Sequence, residues 1–354
     1  MSLYNEKVKI INLSELCHQL FATVGIDDAV VRVYTDLLVE TYLQGVTTHG
    51  TSRVLIYPRR IRNGLLSRGL TIKHVNDDNA TSLIDVNYCK GQYVGTMAMA
   101  VAIEKSSEHR TGAVALRNSN HLGEMELYSL LAAEKNIIGF NTPDVAAFIK
   151  PTEGAERLLG KNPFSFAIKA ETFKPITLDM HCPKVVRVNV LLNAKHGQPV
   201  SQVLILNNKS EHATDSNALF GAGGSLIPLG EHKGCGQSLV MELLTVVLSQ
   251  RLISHKIQTL YDLKVTESYK GAHFFIAIDV GRFLPVEASS NAAAQLITRI
   301  KTSREAADKE KIYSPGGIKH KTKEKNSNDG FQVKSLINNE LNTYAKELGI
   351  TNEI

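Results

Sequence analysis

Apolar residues recur every three or four positions at the start of the chain. In NLSELCHQLFATVG, Leu13, Leu16 and Leu20 share one face. That spacing predicts a helix, with Asn12 as cap, Glu15 at the capping-box position and Gly25 as the stop. DDAVVRVYTDLLVETYLQG keeps the period through Val30, Val33, Tyr34, Leu37, Leu38 and Val39, so the first 65 or so residues read as helical. From about residue 72 the period shortens. TSLIDV, GAVALRNS, IIGFNT, FSFAIKA, ITLDM and QVLILN are short apolar or alternating runs bounded by Gly, Asn, Asp and Pro, which predicts strands. GQYVGTMAMAVAIEKSSEH and MELYSLLAAEKN between them read as helices, GQSLVMELLTVVLSQRL as a long apolar helix, and HFFIAIDV as a late strand. Alternation of this kind predicts a mixed α/β core. At the end, Val333, Leu336, Ile337, Leu341, Tyr344 and Leu348 fall at helical spacing, predicting a helix that packs back onto the body.

A chain of 354 residues exceeds what one core usually serves. The pattern suggests a helical lobe from residues 1–75 and 325–354. The rest, 76–324, would be a mixed α/β lobe with a small helical subdomain around 185–265. Residues 301–325 hold eight Lys/Arg against four acids around SPGG, and read as a basic, loop-rich connection.

Composition narrows the function classes. Hydrophobic residues are 43% and charged residues 21%, an ordinary globular balance. The net charge of +5 is small for this length, and there is no tryptophan, which argues against a nucleic-acid partner. MSLYNEKVKI has no apolar signal region, and no run reaches the ~18 apolar residues of a membrane span. Cys17, Cys89, Cys182 and Cys235 make no CxxC pair, so no metal site is expected, and reduced thiols in the cytoplasm are.

Four stretches carry candidate chemistry. In VTTHGTSRVLIYPRR, His49, Arg53 and Tyr57 are four residues apart, so a helix would place them on one stripe. Arginine binds a carboxylate through two parallel hydrogen bonds, and histidine moves protons near neutrality. Pro58 predicts that this helix breaks just after Tyr57. In RNSNHLGEMELY, His121 lies where a strand passes into a helix. In ITLDMHCP, Asp179 ends a strand, where an acid can orient a histidine. LGEHKGCGQSL opens the long helix, and its glycines, Lys233 and helix N-terminus suit an anion. The same residues also suit bland roles: a surface helix end, a buried histidine, a capping aspartate, a glycine-rich helix entry. GxGxxG, HExxH, the P-loop and GxSxG are absent.

Together these stretches resemble the malate/L-lactate dehydrogenase family that lacks a Rossmann domain. The family's DSHG-x-x-R then Tyr, NSNHFG, GTNP, LDMATS, LPLGGHKGYGL, HFF-x-AID and PGE are similar to TTHGTSR with Tyr57, NSNHLG, GKNP, LDMHCP, IPLGEHKGCGQ, HFFIAID and SPGG, in the same order from about residue 10 to 350. The resemblance implies a non-Rossmann NAD(P)-binding lobe on a mixed sheet, flanked by a helical lobe from both termini, in a homodimer. It implies hydride transfer between NAD, or NADP, and a small 2-hydroxy/2-oxo acid such as malate/oxaloacetate or lactate/pyruvate. Arg53, with Tyr57, would bind the substrate carboxylate. His49 would be the acid/base, with Asp179 and Thr48 as relay partners and His121 on the substrate oxygen or nicotinamide amide; the reverse assignment of the two histidines stays open. Asn162, Asp179, Met180, His181, Cys182, His232, Lys233, Gly234 and Gly316 would hold the cofactor.

The chain also departs from the family pattern. Thr47-Thr48 stands for Asp-Ser, His181-Cys182-Pro183 for Ala-Thr-Ser, Cys235 for Tyr and Gly317 for Glu. The changes at 181–183 motivate one alternative, a dimeric binding protein that has lost catalysis; a ketimine- or ureidoglycolate-type oxidoreductase also stays open, because the sequence does not show the shape of the pocket. A hydrolase built on Thr48, His49 and Asp179 is a further reading, which lacks an elbow turn or an N-terminal nucleophile.

Overall fold

The computed structural model describes residues 4–350 except 9, 48, 222, 261–267, 308 and 310. Thr48 therefore lies outside the described residues, as do the side chains of Val333, Leu336 and Ile337. Strand β1 (Tyr4–Val8) leads into helices α1 (Ile10–Ala22), α2 (Asp28–Leu43) and α3 (Thr51–Arg62). Helix α1 starts before Asn12, which lies inside it rather than capping it. Asp27 caps α2, accepting from the Ala29 amide at 2.9 Å. Helix α3 does not break at Pro58. Proline removes one ladder donor, but Val54, Leu55, Tyr57 and Ile61 bury the face on either side of it and hold the helix through.

The main sheet follows. Strands β2 (Lys73–Asp77) and β3 (Thr81–Asp85), helix α4 (Gly91–His109), strand β4 (Thr111–Ser119), helix α5 (Glu126–Ala133) and strand β5 (Ile137–Pro143) come first. The short strands β6 (Ala147–Ile149) and β7 (Leu159–Gly160) leave this sheet, which resumes with β8 (Phe164–Ala170) and β9 (Phe173–Met180). Around 185–265 the expected helical subdomain is mixed. Helix α6 (Arg187–Lys195), strands β10 (Ile205–Leu206), β11 (His212–Ala213) and β12 (Ser225–Leu226), and helix α7 (His232–Ser249) occupy it. QVLILN yields only the two residues of β10.

The chain closes with β13 (Gly271–Asp279), α8 (Val286–Lys301), α9 (Gly317–Asp329), β14 (Phe331–Lys334) and α10 (Ser335–Glu347). Residues 317–325, expected as loop, thus belong to a helix. Lys319 and Lys323 pin it through ion pairs to Glu124, Glu126 and Glu40. FQVK, expected as the start of the last helix, instead pairs antiparallel with β1.

The seven-stranded sheet runs β2-β3-β4-β13-β5-β8-β9 and is mixed: β3 and β4 are parallel, the other pairs antiparallel. A second sheet runs β11-β10-β12-β6-β7. One apolar core joins Leu13, Phe21, Tyr34 and Tyr57 of the N-terminal helices to Phe331, Leu341 and Tyr344 of the C-terminal segment. Another lies between α4 and the sheet, around Val94, Met99, Val114 and Phe275. Among the described residues no helix is long and apolar enough to cross a membrane.

Candidate active site

The turn after β4 is fixed before any ligand is considered. Asn118 adopts φ +55° and donates to Asp85 at 2.8 and 2.9 Å. Asn120 donates to the Tyr88 carbonyl at 2.9 Å, and Tyr128 Oη donates to the Leu122 carbonyl. Gly91, at the start of α4, packs so closely under the His121 carbonyl that a Cβ would overlap it. These restraints aim His121. Its Nδ1 receives the Gly123 amide at 3.1 Å and the Tyr57 hydroxyl at 2.8 Å, while Gln92 donates to that hydroxyl at 3.1 Å. A backbone N–H can only donate, so Nδ1 is an acceptor and the ring proton sits on Nε2.

Arg53 and Tyr57 lie on α3. His49 lies just ahead of it, because Gly50 caps the helix with φ −88° and ψ −124°. The stripe expected on one helix is therefore shared between a turn and a helix. Gly50 packs against the Tyr42 ring, leaving no space for a side chain. His49 still stacks on His121, with centroids 5.6 Å apart and planes 6° from parallel.

His49, Arg53 and His121 line one cavity of about 370 Å³, in the range of small-molecule sites. Tyr57 supports it from behind, at 2% exposure. Burial first, then the positive charges of Arg53 and Lys161, hold both imidazoles well below the usual histidine range, with Lys319 adding to this at His49. His273 donates from Nε2 to the Asn120 carbonyl at 2.9 Å and offers Nδ1 to the cavity wall; burial pulls it down to about 4. Lys161 and Arg187 also line the space, both over the Phe148 ring.

The far wall is an ionic cluster that sequence reading missed. Lys319 of α9 reaches Glu124 at 2.6 Å, Glu126 at 2.7 Å and Asp179 at 3.8 Å. Asp179 accepts from the amides of Met125 (3.2 Å) and Glu126 (3.0 Å) at the start of α5. It thus holds that helix end. The oxygens of Glu124, Glu126 and Asp179 converge within 4.8 Å, but the Lys319 ammonium already supplies the compensating charge a metal would bring. Burial pushes Glu124 up to about 8 against the pull of Lys319, with Asp179 and Glu126 adding repulsion. Burial also raises Asp179. It penalises the Lys319 ammonium too, but the three carboxylates outweigh that and raise it above the usual lysine value. Only the HLGEMEL and GIKHK charges hinted at this cluster, and no short-range pattern joins them.

The predicted cofactor residues divide. Met180 and His181 line the cavity beside Asp179, and burial with Lys161 lowers His181 to about 4. Cys182 is buried, with its thiol donating to the Gly234 carbonyl at 2.8 Å. Gly234 packs against the Leu229 backbone. His232 and Lys233 are exposed on the first turn of α7. Asn162 faces away, donating to Ser238 and Glu242 of α7 at 2.9 to 3.2 Å. Gly316 caps α9 with φ +79° and packs on Thr177 of β9.

Comparison with known proteins places this geometry. Residues 8–342 match the family model described as malate/L-lactate dehydrogenase. The chain is 31% identical to malate dehydrogenase of Pyrococcus abyssi over 94% of its length and 92% of the relative's. It is 29% identical to L-sulfolactate dehydrogenase of Methanocaldococcus jannaschii, covering 97% of each. Its structure superposes on malate dehydrogenase from Pyrococcus horikoshii with a TM-score of 0.90, at 29% identity, over 99% of this chain and 98% of that one.

Proposed function

The chain belongs to the malate/L-lactate dehydrogenase family of oxidoreductases, and from that premise we propose that it interconverts a small 2-hydroxy acid and its 2-oxo acid, malate/oxaloacetate or lactate/pyruvate, at the cavity between α3, β4, β9 and α9. One observation carries the reading: Arg53, His49 and His121 converge on one cavity, with Tyr57 behind them. Arg53, at 3% exposure, anchors the substrate carboxylate. His121 offers Nε2–H to the carbonyl oxygen as a neutral donor. It cannot readily become an imidazolium, because a proton on Nδ1 would face the Gly123 amide. His49, held neutral beside it, is in the basic form needed to accept a hydroxyl proton. Holding acid and donors in one geometry removes much of the entropic barrier.

The cavity fits a nicotinamide. Buried acceptors without partners among the described residues, His181 Nδ1 and His273 Nδ1, suit a carboxamide. Met180 and His181 would hold the ring, with Lys233 at the α7 N-terminus for the phosphates. NAD is the proposed nucleotide and NADP the alternative. When bound, the nucleotide supplies the hydride pair.

A homodimer is part of the proposal. Helix α7 buries Gly234, Ser238, Glu242, Thr245 and Ser249 and turns Leu239, Val240, Leu243 and Val247 outward. An apolar face left outward in this way suits a second copy of the chain. Four unbridged cysteines support a cytoplasmic location.

Arg53→Met tests the site. A loss of roughly 3–5 kcal/mol in transition-state binding, ~10²-fold or more in kcat/KM for the 2-oxo acid, is expected with nucleotide affinity unchanged. Near-normal kinetics would sink the assignment.

A further inference from the structure

A dehydrogenase reducing a 2-oxo acid must deliver one proton for every hydride. His121 cannot store it, since the Gly123 amide and the Tyr57 hydroxyl occupy Nδ1. His49 is held neutral by burial and by cations, so it can pass a proton on but stores no spare one. Lys319 is clamped in its charged form by three carboxylates.

Glu124 differs from all of these. Its residue is 3% exposed and lies on the cavity wall. Lys319 donates to Oε1 at 2.6 Å, while Oε2 is buried with no hydrogen-bond partner among the described residues. A proton on this carboxyl therefore belongs on Oε2, because Oε1 already faces an ammonium donor. A buried polar atom left without a partner on a cavity wall is an expensive feature unless a ligand or a proton completes it.

We propose that Glu124 is the proton reservoir of this site: its Oε2–H gives up the proton, relayed through His49, when a carbonyl is reduced and takes it back by the same route when a hydroxyl is oxidised. This rests on the dehydrogenase reading above. In reduction the carbonyl carbon gains the hydride, the C=O π pair moves onto oxygen, and that oxygen takes its proton from His49, which takes one in turn from Glu124. The resulting carboxylate is left facing the Lys319 ammonium and recovers its proton from water. The charged and titratable groups acting on Glu124 are Lys319 from α9, Asp179 from β9, and Glu126 and Tyr128 from α5, and His49 lines the same cavity. Among the described residues Lys319 is the cation that favours the carboxylate, set against burial and two acids. That leaves the group half-titrated at about pH 8, inside the working range.

Two measurements test this, one of them independent of turnover. Infrared spectroscopy of the ligand-free protein should show a protonated-carboxyl C=O band at pH 7 that titrates near 8 and is missing in Glu124→Gln. Absence of that band from the wild-type protein overturns the inference, whatever the activity. In kinetics, wild-type kcat/KM for 2-oxo acid reduction should fall as pH rises through about 8. Glu124→Gln should lose that limb and about 10²–10³-fold in rate, with nucleotide affinity retained. Glu124→Asp should restore part of the rate with a displaced limb. A Glu124→Gln enzyme that keeps both rate and limb overturns the proposal while leaving the dehydrogenase reading standing. A wild-type protein inert towards every 2-oxo acid would defeat that reading, and the proposal with it.

Discussion

Replacing Tyr57 with Phe removes one oxygen from the centre of the site and little else. The ring keeps its edge-on contact with Tyr34, at 5.5 Å and 84°. Two hydrogen bonds disappear: from the hydroxyl to His121 Nδ1 at 2.8 Å, and from Gln92 to the hydroxyl at 3.1 Å. Gln92 is 2% exposed, so its amide is left as a buried donor, costing about 1–3 kcal/mol. His121 retains the Gly123 amide, so its tautomer persists, but it loses one of the two donors that fix the ring. A loss of about 1–2 kcal/mol in transition-state binding corresponds to roughly tenfold in kcat/KM. The assay is steady-state kinetics with a 2-oxo acid and a thermal melt on the same preparation. A melting temperature lowered by a few degrees is expected, with the kinetic loss mainly in kcat because the Arg53 anchor is intact. Unchanged kinetics together with an unchanged melt would refute the hydrogen-bond chain from Gln92 to His121.

Other outcomes follow from the same geometry. His273 is fully buried and lowered from 6.5 to about 4, so its stabilisation is complete above pH 6.5 and lost as pH falls towards 4. The loss is about 3 kcal/mol, and denaturant titrations should show that part of the acid sensitivity missing in His273→Gln. Leu243→Glu places a charge on the outward apolar face of α7, and sedimentation should show the parent as a dimer and the variant as a monomer.

Sequence and structure agree where an element carries its own periodicity. Helix α4 and strands β4 and β13 come within a residue or two of the runs that predict them, and the mixed sheet is as expected. Helix α9 was illegible because GIKHKTKEKNSND has no apolar stripe and buries none of its residues. Ion pairs and the Asn326 bond to the Leu43 carbonyl hold it, across more than 190 positions of sequence. Strand β2, exposed at every position, gives no hydrophobic signal either. That His49, Arg53 and His121 would come to one cavity was readable because motif spacing carries them. Glu124 and Lys319 were not, since they meet only after the chain has closed, 195 residues apart. Asn162 shows the opposite case: it sits in a recognisable motif, yet its side chain binds Ser238 of α7, whose hydroxyl donates to Gly160 of β7.

The central claim is that this cavity transfers hydride between a nicotinamide and a small 2-hydroxy or 2-oxo acid. Its most direct test is NADH and NADPH oxidation followed in parallel against a panel headed by oxaloacetate and pyruvate. The account predicts clear turnover of a 2-oxo acid with at least one nucleotide, abolished or strongly weakened in Arg53→Met. No turnover across the panel, together with no binding of either nucleotide, would contradict it and favour a non-catalytic dimer that kept the fold.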